Sequence, residues 1–385
     1  MMKTICKCRR LIQGIVGTWL ALAVVSSPGA SDASHPLLHL DAEYENGRAV
    51  PVSVARTIDG KEVGRFPGVL SPVMSPRGDE FAVLEESLKF VKLDGVCRKT
   101  IEPRDLKTRG EQFFESHLAW SPDGTRIAAI TVIPGRTVGD NKWAVVVFDT
   151  TSGHRLSRHP IPQGVSAGCP YCMAWPNKFR WSLDGTKVLL SWGNTIVIDL
   201  EKEQTRVIST TWSSAEWGNG SNLVFFFEAS RKPGEVALKG FYAANLESGA
   251  RDLLLGPDAL VESRIEPTAL FHVPFIYASV DGKHLVINSR SESNGTTLRF
   301  YDLTTQARPD LRKPDRTTNS GDILPQLAWS PTGDAIAAIA VSDAQVFRLM
   351  RFDLSMDEWI VVSTLALTDD TPLEVFAYKV LSWAE

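Results

Sequence analysis

Leu118-Ala-Trp-Ser-Pro-Asp-Gly-Thr-Arg-Ile-Ala-Ala-Ile130 and Leu327-Ala-Trp-Ser-Pro-Thr-Gly-Asp-Ala-Ile-Ala-Ala-Ile339 are two copies of one pattern, and their recurrence decides the fold. Arg180-Trp-Ser-Leu-Asp-Gly-Thr-Lys-Val-Leu-Leu190 and Ala278-Ser-Val-Asp-Gly-Lys-His-Leu-Val-Ile287 repeat it closely. Met74-Ser-Pro-Arg-Gly-Asp-Glu-Phe-Ala-Val-Leu84 is a weaker copy, and Glu216–Phe226 a weaker one still. In each, an apolar strand runs into a tight turn where Gly takes a left-handed position, and in three copies Pro fixes φ at the first corner. An alternating apolar segment then returns as a second strand. Three residues past the turn glycines stand Phe81, Ile127, Val188, Leu223, Leu285 and Ile336, all large and apolar.

A second repeat lies between the first. Apolar strands end at an Asp corner at Asp59, Asp94, Asp149, Asp199, Asp302 and Asp353, with Asn245 in the equivalent place. These read as the corners of outer hairpins. There are seven such corners but only six inner hairpins, and the surplus corner is the first. The segment Val375–Trp383 resembles an inner strand leading to Trp, so it is expected to join the strands of residues 38–66 in one composite blade. The fold class predicted is all-β, a seven-bladed β-propeller whose N- and C-terminal strands share one blade. Six blades, with residues 38–66 as an extension, is the alternative.

Lys3, Lys7, Arg9 and Arg10 precede an apolar run from Leu11 to Val25 and then small residues through Ala33. This order describes a secretory signal peptide over residues 1–33, followed by a single propeller domain over 36–385. The apolar run is too short to span a bilayer. The whole chain has 41 basic and 45 acidic residues; without residues 1–33, which hold four bases and Asp32, the net charge is −7. No basic run interleaves with aromatics, which argues against nucleic acid. A monomeric periplasmic or secreted protein is expected, with no transmembrane span in the mature chain. Only Cys97, Cys169 and Cys172 follow the signal segment, too few for a disulfide framework.

The Trp-Ser-Pro-Asp-Gly repeats resemble those of TolB-type propellers, a WD-repeat-like bacterial family. The resemblance covers nearly all of residues 36–385, without the α/β domain that precedes the propeller in TolB. It implies a propeller that docks a partner in the periplasm. The same propeller type also occurs in the gating domain of prolyl-oligopeptidase-like enzymes and in some lyases and lactonases, so fold alone does not choose an activity.

Residues 154–172 hold the densest chemistry. Gly164-Val-Ser166-Ala-Gly168 matches a nucleophile elbow, but that needs a strand-to-helix turn, and the flanking prolines supply none. Cys169-Pro-Tyr-Cys172 matches a glutaredoxin dithiol without the helix that would activate it. In an oxidising compartment a local Cys169–Cys172 disulfide is expected. His154, His159, Cys169 and Cys172 together could ligate tetrahedral zinc; two surface histidines beside a disulfide is the other reading. No other cofactor is called for. Cys97 is read as a small buried residue, and His117 as a residue that could face the central channel. The corner aspartates and the Trp residues of the repeats are read as turn chemistry and blade-to-blade packing.

The favoured function is a non-catalytic scaffold that binds a protein or peptide through loops on one face. Ile101–Phe114, Pro134–Lys142, Arg155–Ala174 and Ser230–Val236 are the candidate rim. The alternative is a lactonase- or lyase-like enzyme, which predicts three or more titratable groups converging at one mouth of the central channel.

Overall fold

The computed structural model describes residues 36–383, except 163–177, 266–273, 365–380 and shorter stretches at 46–47, 58–59, 68–71, 85, 107, 138–139, 193, 233–234, 291–294, 305–309, 311, 331 and 343–345. Seven four-stranded antiparallel sheets form a β-propeller. The composite blade contains β1 (Leu37–Glu45), β2 (Arg48–Arg56) and β3 (Glu62–Pro67). The second contains β4 (Val73–Met74), β5 (Glu80–Leu84), β6 (Leu88–Lys92) and β7 (Cys97–Ile101). The third runs β8 (Gln112–Trp120), β9 (Arg126–Ile133), β10 (Lys142–Asp149) and β11 (Arg155–Pro160). The fourth runs β12 (Lys178–Trp181), β13 (Lys187–Trp192), β14 (Asn194–Asp199) and β15 (Gln204–Ser209). The fifth runs β16 (Trp212–Trp217), β17 (Leu223–Lys232), β18 (Glu235–Asn245) and β19 (Arg251–Leu255). A six-residue helix, α1 (Pro257–Glu262), follows it. The sixth has β20 (Phe275–Ala278), β21 (His284–Arg290), β22 (Thr296–Asp302) and β23 (Arg316–Ser320). The seventh has β24 (Ile323–Trp329), β25 (Ala335–Val341), β26 (Phe347–Asp353) and β27 (Glu358–Thr364). The last strand, β28 (Leu381–Trp383), completes the first blade by pairing with β1 in the register Leu37↔Trp383 and His39↔Leu381. The surplus corner thus belongs to a blade shared by the two ends of the chain.

Burial follows position in the blade. The two middle strands are covered by neighbouring blades on both faces, so β10 and β25 are buried almost end to end. Outer strands alternate, as in β19, and carry charge such as Arg206 and Arg251 at the sheet edge. Five of the six apolar residues after the turn glycines are fully buried, and Leu223 is partly so.

The turns are built as the repeats predict. The six turn glycines lie at φ between +67° and +84°, a region other residues enter at a cost. Ser121 Oγ donates to Asp123 Oδ1 (2.6 Å) and accepts the Arg126 N–H (2.9 Å), and Ser182 and Ser279 repeat the device. At the outer corners Asp94, Asp199, Asp302 and Asp353 accept backbone N–H groups two or three residues on, as does Asn245. Asp149 does the same for Ser152.

This chemistry makes stability acid-sensitive. Burial alone would raise the Asp184 carboxyl, but hydrogen bonds from Ser182, Thr186 and Ser221 outweigh it and hold it at about 2, against 3.8 for an ordinary Asp. The stabilisation is present above the unfolded pKa and is lost as pH falls through the folded one. Asp184→Asn should therefore flatten the loss of stability between pH 4 and 2. Urea midpoints across that range test this, and an acid limb as steep as that of the parent would refute it.

The tryptophans are struts between blades. Trp120 Nε1 donates to the Val73 carbonyl (3.0 Å), Trp181 to Ala119 (2.8 Å), Trp217 to Arg180 (3.3 Å) and Trp329 to Tyr277 (3.1 Å). In each case the acceptor immediately precedes the last residue of the previous blade's inner strand. The inner strands therefore run in one direction around the ring. It follows that connections from second to third strand, and from blade to blade, all leave at one face. Turns from first to second and third to fourth strand leave at the other.

Candidate functional site

The residue before the end of each inner strand is Val73, Ala119, Ala328 or Ser382 in four blades, but Arg180, Glu216 and Tyr277 in three consecutive ones. Arg180 Nε lies 3.4 Å from Glu216 Oε2, and the Trp217 backbone N–H donates to Glu216 Oε1 at 3.1 Å. Burial pushes the Tyr277 hydroxyl far up, opposed by the Arg180 charge and aided by Glu216, so the three sense one another. Glu216 is 1% exposed and Tyr277 5%, whereas the Arg180 side chain is 37% exposed. Three titratable groups do meet in the inner wall, but only the arginine is open to solvent. Burial keeps the Tyr277 phenol in its protonated form near neutral pH.

Two more buried carboxylates close seams between elements. Glu228 accepts from Ser209 Oγ and from Arg251 Nη2 (2.6 Å), and the Arg251 guanidinium stacks 4.1 Å from the Tyr242 ring centroid. Glu111, which immediately precedes β8, is 3% exposed; its Oε1 accepts from Thr131 Oγ1 (2.7 Å) and Arg158 Nε (2.9 Å). Arg155 Nη1 adds bonds to the Leu106 carbonyl and to Thr108 Oγ1, so β11 fastens the connection that carries Glu111.

By the topology above, three of the four segments singled out in the sequence leave at one face; of the fourth, Arg155–Pro160 is strand β11 itself and 163–174 lie outside the described residues. Pro134–Lys142 and Ser230–Val236 join second to third strands, and Ile101–Phe114 and Arg155–Ala174 join blades. Two differ from expectation: Arg155–Pro160 is strand β11 rather than loop. Ser230–Val236 is no long loop, because β17 and β18 continue pairing through Arg231↔Val236 and Lys232↔Glu235. Ile101–Phe114 contains a single 3-10 turn at Pro103–Leu106.

The residues of the His/Cys segment do not assemble into one visible site. His154 directly precedes β11 and His159 sits near its far end, roughly 17 Å apart at strand rise, so the two cannot share one zinc ion. His159 is buried, 2.8 Å from Ser157 Oγ, and burial lowers its pKa against a weak opposing effect of Glu203. Cys169, Cys172 and the Gly164–Gly168 stretch lie outside the described residues. Among the described residues no three His, Cys, Asp or Glu side chains gather to hold a metal. His117 falls within β8, but its side chain is not among those described. Cys97 is half-buried rather than buried, because it opens an outer strand; its Sγ lies 3.5 Å from the Lys99 carbonyl. His39 is a core residue whose Nε2 accepts from Arg56 Nε at 3.1 Å.

The Arg180–Glu216 pair was signalled in the sequence by charged residues at a position held by uncharged ones in the other blades. Glu111 carried no such mark, because it stands outside the repeats.

No family model matches this sequence, and no curated protein matches it. Solved structures do. The β-propeller domain of the Trilobed protease from Pyrococcus furiosus superposes with a TM-score of 0.54 at 11% identity, over 87% of this chain and 98% of that one. A putative 6-phosphogluconolactonase from Bacteroides fragilis gives 0.50 at 12% identity, over 88% and 96%. TolB from Acinetobacter baumannii gives 0.43 at 12% identity, over 91% and 83%. At such identity the first two likenesses establish the propeller fold alone and leave activity open. The Pyrococcus furiosus domain is described as having an open velcro topology, whereas here Trp383 pairs back onto Leu37. Among the described residues no helix is long and apolar enough to cross a membrane.

Proposed function

We propose that this chain is a non-catalytic scaffold, exported to the periplasm or beyond, that binds a protein or peptide on one face of its propeller. The observation that carries the reading is that Ile101–Phe114, Pro134–Lys142 and Ser230–Val236 leave at a single face, while the opposite face holds the repeated tight turns and one longer connection, between β22 and β23. Non-repeated sequence on a rigid ring is what a recognition surface requires. The competing enzyme needs accessible acid and base groups in the inner wall, and of the three groups that meet there only Arg180 reaches solvent. The TolB-type resemblance agrees with a docking role by analogy. A Cys169–Cys172 disulfide that pins the blade-to-blade connection belongs to this reading, since it would cut the entropy lost on binding.

Photo-crosslinking tests the reading. A crosslinking residue placed at Arg136, in the rim, should give a discrete adduct in cells, and one at Leu183, in a tight turn of the opposite face, should give none. Both positions are exposed. Adducts of equal yield from both, or from Leu183 alone, would refute it.

A further inference from the structure

The connection between the second and third blades forms a cleft of about 390 Å3 lined by Pro103, Arg104, Thr108, Arg109, Gly110 and Glu111. Some polar groups in and beside it are committed. Asp105 accepts the Glu102 N–H at 2.8 Å, Thr108 bonds Arg155, and Glu111 Oε1 serves Thr131 and Arg158. Three groups are not. Glu111 Oε2 is buried without a hydrogen-bond partner. Arg104 and Arg109 are both exposed, and neither makes a hydrogen bond or ion pair among the described residues.

A buried carboxylate oxygen normally has a donor. Two uncommitted guanidinium groups beside it offer paired N–H forks suited to carboxylates. The cleft also lies on the face that carries the proposed partner surface.

We infer that this cleft is a recognition pocket for an acidic peptide segment, whose carboxylates pair with Arg104 and Arg109 while one peptide N–H donates to Glu111 Oε2. The inference rests on the scaffold reading and gives it a partner chemistry. The net charge of −4 over the whole chain makes such a pocket selective, because acidic segments are repelled elsewhere on the surface.

The test is fluorescence anisotropy of the full chain with a labelled alternating glycine–glutamate decapeptide and its glycine–glutamine counterpart. The glutamate peptide should bind at least tenfold more tightly than the glutamine one, and 0.5 M NaCl should erase the difference. Arg104→Gln with Arg109→Gln, both at exposed positions that leave the fold intact, should weaken it about five- to tenfold. Glu111→Gln, with its melting curve recorded alongside, should also weaken it, because the amide that replaces one oxygen cannot accept. Equal binding of the two peptides, no binding at millimolar peptide, or indifference to the double arginine change would each overturn the inference. Rim crosslinks at Arg136 that persist when the peptide fails would leave the scaffold reading standing. Peptide binding without any rim crosslink would instead remove the macromolecular partner and keep the pocket.

Discussion

Replacing Trp181 with alanine is expected to cost about 3–5 kcal/mol of folding stability, the usual range for emptying a buried aromatic site. Trp181 is 6% exposed and packs with Ala128, Ile130, Phe179 and Val188 across the seam between the third and fourth blades. Its indole N–H also bonds the Ala119 carbonyl at 2.8 Å, and the Arg126 guanidinium lies 4.9 Å over its ring. Alanine removes all three at once. Phenylalanine keeps most of the packing but strands the carbonyl, and should cost about 1–3 kcal/mol. Urea midpoints for the parent, Trp181→Phe and Trp181→Ala should therefore fall in that order. A Trp181→Ala protein within about 1 kcal/mol of the parent would show that the seam is held by something other than the strut.

The strut and the turn were both readable from sequence for one physical reason. Ser121, Asp123 and Gly124 satisfy one another within a few residues, so the geometry is local and must be written wherever the turn recurs. Trp recurs because each inner strand meets its neighbour at the same offset. The shared blade was readable through counting, since a ring with seven outer corners and six inner hairpins needs one strand from its other end. What the sequence hid depends on pairings that are not periodic. Glu111 meets Arg158 and Thr131 only because a blade-to-blade connection crosses the third sheet there, and no spacing encodes that crossing. Arg231 to Glu235 looks like a loop because its composition is polar. Yet the backbone ladder continues through Arg231↔Val236 and Lys232↔Glu235, so the hairpin outruns its apolar sequence. Helix α1 escaped because six residues with one buried anchor, Leu260, are too few to show a period.

Deleting residues 380–385 should open the ring and bring the second large loss of stability. It removes β28, the inner strand of the shared blade, which pairs with Leu37–His39 and sits between the inner strands β4 and β24 of its neighbours. The truncated blade would keep β1, β2 and β3, but β1 would become an edge with unpaired N–H and C=O groups facing the channel. Lost ladder bonds and lost packing against both neighbours together come to on the order of 5 kcal/mol, a large share of a domain's net stability. An open sheet edge also invites a second chain, so the deletion should elute from gel filtration at a larger apparent mass than the parent at equal concentration. A synthetic peptide of residues 375–385 added in trans should bind the vacant edge, restore the melting temperature and suppress the association. That rescue separates closure of the ring from any general damage at the tail. A truncated protein that melts and elutes with the parent and ignores the peptide would mean that the six remaining blades hold the ring by packing alone.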